Sequence, residues 1–200
     1  MMILRSSPPS PFGRKVKISA SVLGLSDRIT VVATSTMDPQ DPVRSVNPLG
    51  KIPVLELEDG TALFDSRVIV EFLDHLAGGG RLLPLDGPAR FATLTMQALA
   101  DGLTEAALLQ VYELRLRDET ERSSKWMELQ AGKVSRSLAA LETAPPSDAV
   151  DLGAIAVACA LGYLDLRFGG EWRRDHPRLV EWLDHFSAAT PAYEKTRAPG

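Results

Sequence analysis

The chain has 200 residues, 44% hydrophobic and 24% charged, with a formal net charge of −4: the profile of a globular protein long enough for one large or two small cores. The acidic balance and scattered basic residues argue against a nucleic-acid partner, and no apolar run is long enough for a membrane. The single cysteine, Cys159, excludes an internal disulfide and a multi-cysteine zinc site; with an apolar start too short for a signal peptide, the expected location is the cytoplasm.

Ile3-Leu4 marks a first short strand that stops at Ser6-Ser7-Pro8-Pro9. Pro11 suits the first turn of a helix, where its missing N–H is not needed, and this makes Ser10 the N-cap. Apolar residues follow at Phe12, Val16, Ile18, Ala20, Val22 and Leu23, and Gly24 ends the helix. The β-branched run from Ile29 to Ala33 is a second strand, and strand–helix–strand at this spacing implies a parallel pair with a right-handed crossover. A loop with a short helix comes next. Asp59-Gly60 then lies between apolar runs at 54–57 and 62–64, which predicts an antiparallel hairpin. From Ser66 onward, Val68, Ile69, Phe72, Leu73 and Leu76 share one helical face.

The glycines after Ala77 break the chain, and 78–88 reads as a linker between domains at 1–77 and 89–200. Beyond it the signals are helical. One long helix runs from Phe91 to about Leu116, and Trp126, Val134, Leu138 and Leu141 mark another. Residues 152–166 are apolar nearly all round, which predicts the buried centre of a bundle, with Asp151 as N-cap. Pro177 opens a final helix carrying Leu179, Trp182, Leu183 and Phe186.

Three segments put polar groups where an element starts: SPFGRKV (10–16), NPLGKIPVL (47–55) and FDSRVIVEFLDHL (64–76). A helix start offers unpaired N–H groups and partial positive charge, so it favours anions. Two such starts and a strand edge suit an anionic, peptide-like ligand. Each residue also has a plainer role: Ser10 and the Asp65-Ser66 pair as caps, Pro53 as an ordinary strand start, Lys51 as a solvated cation. His75, His176 and His185 are far apart and indicate no metal site. Cys159 falls in the apolar central helix and reads as core, and Trp126, Trp172 and Trp182 fit packing. Tyr112 and Arg115, near the end of the long helix, either line a pocket or pack.

This order of elements, with NPxGKxP followed by an acidic-Ser pair, resembles the cytosolic glutathione transferase family over nearly the whole chain, and its bacterial serine-type members most. The resemblance implies an α+β/α fold: an N-terminal thioredoxin-like domain (βαβ-α-ββα) and an all-helical C-terminal bundle. It implies a homodimeric transferase with glutathione as co-substrate and no metal, which activates the thiol as a thiolate for attack on an electrophilic small molecule.

Site residues follow from the resemblance. Ser10 stands beside the glutathione sulfur, with Ser6 and Ser7 as rivals. A thiol of pKa ~8.5 must fall by about two to be mostly ionised at neutral pH, roughly 2.7 kcal/mol. A hydrogen bond to a charged group, about 1.5–3 kcal/mol, and a helix terminus, up to about 1, supply that. Position 10 is not Cys, and Gly13 stands where a second redox cysteine would, so disulfide reduction is not expected. Pro53 follows a cis bond that turns the Ile52 backbone toward the cysteinyl part of glutathione, and Lys51 meets its glycine carboxylate. Ser66 holds the γ-glutamyl carboxylate and Asp65 faces the ammonium, which Asp101 also reaches across a dimer interface. Two alternatives remain open: a non-catalytic scaffold with this architecture, and a glutathione-dependent isomerase or dehalogenase. No motif encodes the second substrate.

Overall fold

Met2–Ser6 alternates buried and half-exposed residues, the period of a strand with one face on a core, and forms β1. The computed structural model describes residues 1–199. After β1 come α1 (Pro11–Val22), β2 (Ile29–Ala33), a short α2 (Val43–Val46), β3 (Val54–Glu56), β4 (Ala62–Leu63) and α3 (Ser66–Leu76). The sheet order is β2-β1-β3-β4. β1 and β2 are parallel, with Ser6 opposite Ala33; β3 runs antiparallel to β1, with Arg5 opposite Val54; β4 runs antiparallel to β3, with Leu63 opposite Leu55. The predicted Asp59-Gly60 turn closes the hairpin: Gly60, at φ 87°, donates to the Leu57 carbonyl at 3.1 Å.

Leu4 and Leu55 of the sheet, Val16 and Ile18 of α1, and Ile69 and Leu73 of α3 are all buried and belong to one hydrophobic core. The remainder is helical: α4 (Gly87–Leu116), α5 (Ser124–Thr143), α6 (Leu152–Phe168), α7 (Pro177–Ala189) and α8 (Pro191–Lys195). α6 is buried along nearly its whole length, as its apolar circumference predicts, and packs on both α4 and α1. Asp151 caps it by accepting from the Ala154 N–H at 2.8 Å. No helix of the described residues is long and apolar enough to cross a membrane.

Three details differ from the sequence reading. α4 begins at Gly87 rather than Phe91, because Pro88 occupies the first turn, where a helix tolerates proline. α7 is not the last helix, since Pro191 restarts the chain as α8. Trp172 and Trp182 are buried, but Trp126 is 40% exposed.

The glycine-rich stretch after α3 is tightly tied. Gly78, Gly79 and Gly80 all have positive φ, which only glycine adopts without strain. The buried carboxylate of Asp74 accepts from the N–H groups of Gly80 (3.0 Å), Arg81 (3.1 Å) and Leu82 (2.8 Å). The Arg81 guanidinium reaches the Val22 and Leu23 carbonyls at the end of α1, where a cation complements the helix dipole. Asp74→Ala strands these three N–H groups at about 1–3 kcal/mol for each one that stays buried. Urea denaturation should show a loss of at least about 2 kcal/mol, and a loss under about 0.5 would contradict the anchoring role.

Candidate active site

The sheet topology brings the three polar segments together. β1 ends at Ser6, β3 begins at Val54 directly after Ile52-Pro53, and β4 ends just before Asp65. Because β3 is antiparallel to both neighbours, these three points lie at one end of the sheet. They span two strand spacings, about 10 Å, and an extended tripeptide is about 10 Å long.

Ser10 is the N-cap of α1, and its Oγ accepts from the Gly13 N–H at 3.1 Å. A hydroxyl that accepts through a lone pair keeps its proton to donate, so the capping role and a donor role coexist. Gly13 leaves room for Ser6: a Cβ there would lie 2.0 Å from Ser6 Oγ and 3.1 Å from its Cβ, so a larger residue would force Ser6 to move. Ser6 is buried under this turn, and with Ser7 it borders a separate hollow of ≈ 270 Å³ beside Lys17 and β2. Ser10 instead lines a cleft of ≈ 280 Å³ between the 8–11 loop, α6 and the C-terminal segment, with Arg14, Tyr163 and Tyr193 on its walls. Tyr112 and Arg115 are not among its lining residues. Cys159 borders it from α6, and burial pushes its thiol up to about 11, so it stays protonated near neutral pH.

The Ile52-Pro53 bond is cis, and so is Phe64-Asp65. Ile52 is half-buried, Pro53 is buried and Lys51 is exposed. Asn47 shapes the approach: its side chain accepts from the Leu49 N–H at 3.0 Å and donates to the Lys51 carbonyl at 2.9 Å. The sequence reading gave Asn47 no role, although an Asn two residues before a Leu-Gly turn is an Asx-turn signal.

At α3 the cap is Asp65, whose Oδ1 accepts from the Arg67 N–H at 2.9 Å. Ser66 is the first helical residue and is buried. Asp101 is buried too. Its Oδ1 and Oδ2 lie 2.7 and 2.9 Å from the Nζ of Lys15, which is only 1% exposed. Oδ2 also accepts from Arg67 Nε at 3.0 Å, a bond that raises the Arg67 pKa. Asp101 thus joins α4 to α1 and holds Arg67 beside the start of α3. Lys15, Arg67 and Arg14 were missed because their partners are far off in sequence. Among the described residues no group of three or more His, Cys, Asp or Glu side chains could hold a metal.

The pattern of the glutathione S-transferase N-terminal domain matches residues 9–76, and that of the C-terminal domain matches 124–185. The chain is 34% identical to the uncharacterized GST-like protein YibF of Escherichia coli K12 over 206 residues, 99% of each chain. A glutathione transferase family member from Pseudomonas fluorescens Pf-5 with bound glutathione is 41% identical, with a TM-score of 0.92 over 100% of both chains. A second crystal structure from Pf-5, with bound S-(propanoic acid)-glutathione, gives 41% and 0.89, again over 100% of both.

The buried Lys15–Asp101 pair generates a stability prediction. Asp101→Ala leaves an uncompensated buried ammonium and should cost about 3–5 kcal/mol. Adding Lys15→Met to Asp101→Leu should restore most of it, since well-packed apolar replacements of a buried pair are often neutral. Urea titration of the single and double variants checks this; a double variant as unstable as the single would mean that packing, not charge, dominates.

Proposed function

Because the chain belongs to the glutathione S-transferase family, we propose that it is a glutathione transferase, with Ser10 as the catalytic residue that stabilises the thiolate. The observation that carries this reading is the Ser10 hydroxyl, committed as an acceptor to Gly13 and free as a donor, at a helix start on the wall of the cleft. Ser10 follows the end of β1, at the same end of the sheet as Ile52 and the start of α3, and this supports a peptide thiol as its partner, although Ile52 and Ser66 do not themselves line the cleft. The Pf-5 relative, solved once with glutathione and once with a glutathione conjugate, points to the same ligand.

In this reading the cysteinyl backbone pairs with Ile52 beside Pro53, and Lys51 faces the glycine carboxylate. The Ser66 N–H and hydroxyl take the γ-glutamyl carboxylate, and Asp65 faces its ammonium. Asp101 is a positioning residue that acts through Arg67. The thiol proton leaves to solvent, the sulfur forms a bond to an electrophilic carbon, and the leaving group departs with its electron pair. Two copies form a homodimer. Exposed apolar side chains such as Val68 on α3 and Phe91 on α4 are surface that pairing would cover.

Ser10→Ala tests the mechanism. Glutathione affinity by calorimetry should change little, because most contacts lie elsewhere. The pKa of bound glutathione should rise by about one to two, and turnover near neutral pH should fall roughly ten- to a hundredfold. The deficit should shrink at high pH, where solvent ionises the thiol unaided. A pH–rate profile with an aryl halide reads this, and an unchanged profile would remove Ser10 from the chemistry. The lost cap costs about 1 kcal/mol in stability, which is why the profile rather than melting decides.

Ser66→Ala separates binding from folding. Asp65, not Ser66, is the cap, so melting should move little while glutathione affinity drops roughly tenfold or more. Failure of the parent protein to bind millimolar glutathione at all would favour a non-catalytic scaffold instead.

A further inference from the structure

Arg14 is a buried cation on the wall of the cleft, and the transferase chemistry so far gives it no task. Its side chain leaves α1 one turn beyond Ser10, about 6 Å along the helix axis and on the same face. Only 7% of it is exposed, yet it borders the cleft. The guanidinium is fixed on three sides. Nη2 donates to the Tyr193 carbonyl at 2.6 Å, Nε donates to Thr196 Oγ1 at 3.3 Å, and the group lies 4.0 Å from the Tyr193 ring centroid. Nη1 fills the space left open by Gly162, where a Cβ would come within 2.4 Å of it.

The charges around the cleft do not balance. Asp165 is answered by Arg173, at 2.6 and 2.9 Å, and by the Trp172 Nε1–H at 2.8 Å. Arg197 is answered by Glu194 at 2.7 and 2.9 Å. Among the described residues, no carboxylate comes within 4 Å of Arg14. Lys17, further along α1 and outside the cleft, is another cation near Arg14; burial and the Arg14 charge both lower its pKa. A buried cation is costly unless something pairs with it, and the cleft that Arg14 lines is where an anion could reach it.

We propose that the second substrate is an anionic electrophile, one whose carboxylate or similar acid group sits on Arg14 while its reactive carbon faces the sulfur at Ser10. The proposal rests on the transferase reading and adds the substrate class. For 4-chloro-3-nitrobenzoate, the sulfur–carbon bond forms, the carbon–chlorine bond breaks with the pair leaving as chloride, and the thiol proton goes to solvent. The acid group is untouched and only anchors the ring.

Calorimetry on the intact protein tests this with three ligands: glutathione, S-(4-carboxy-2-nitrophenyl)glutathione and its uncharged carboxamide. The carboxylate conjugate should bind roughly ten- to a hundredfold more tightly than the amide. Arg14→Gln should reduce that preference to about twofold or less, and Arg14→Lys should restore part of it. Comparing acid with amide in the same protein cancels any general loosening, and the wild-type comparison decides even if a variant does not fold. Equal binding of the two conjugates, or an undiminished preference in folded Arg14→Gln, would overturn the proposal and leave Arg14 as a pin for the C-terminal segment. Absence of glutathione binding would instead overturn the transferase reading beneath it.

Discussion

The fold depends on α1 serving two cores at once. Val16 and Ile18, two positions apart, project from nearly opposite sides of the helix, yet both are fully buried, because α1 packs on α3 of the sheet domain and on α6 of the bundle. At this junction the helix carries Arg14 and Lys15 where a helical wheel alone would put solvent. Each is held from the second domain, Lys15 by the Asp101 carboxylate and Arg14 by the neutral carbonyl and ring of Tyr193. Breaking one partner of such a pair costs more than the pair itself contributes, because a bare buried charge is left behind. The arrangement therefore specifies one docking of the two halves more than it adds net stability.

Ser10 begins this same helix. Whatever fixes α1 against the bundle also fixes the hydroxyl relative to the cleft wall on α6. The Ser10 proton and the Arg14 guanidinium are consecutive features on one rigid element, with no loop between them to blur their separation. Gly13 and Gly162 mark the two closest approaches. One admits the buried Ser6 hydroxyl under the first turn, and the other admits the guanidinium beside α6.

What the sequence revealed divides along the same line. β2, the Asp59-Gly60 turn, the Ser10 and Asp151 caps and the all-apolar α6 were legible because each is specified by residues within a few positions of one another. The cis bond at Pro53 was legible only through the family resemblance. The burial of Lys15 was not legible, because its partner is 86 residues away. The burial of Arg14 was not legible for the same reason, its main partner lying 179 residues on. At α3 the Asp65-Ser66 pair was legible as the cap, and Asp65 takes that role, which leaves the Ser66 hydroxyl out of it. Trp126 shows the opposite error. Its size suggested packing, but α5 buries only Gln130, Leu138 and Leu141, and the start of the helix faces out.

This division bears on how a two-substrate site can be built. On the proposed reading the peptide side consists of backbone groups at strand ends and helix starts, set by local sequence, and suited to a ligand that does not vary. The cleft side consists of side chains brought from α1, α6 and the C-terminal segment, held by long-range contacts. Replacing a few of those side chains changes the cleft's charge and shape without disturbing the sheet end. On the proposed reading, the constant thiol donor is recognised by main chain and the variable acceptor by side chain. On that reading local motifs point to the thiol donor and say nothing of the electrophile, whose acid group would meet Arg14, a cation with no carboxylate partner among the described residues.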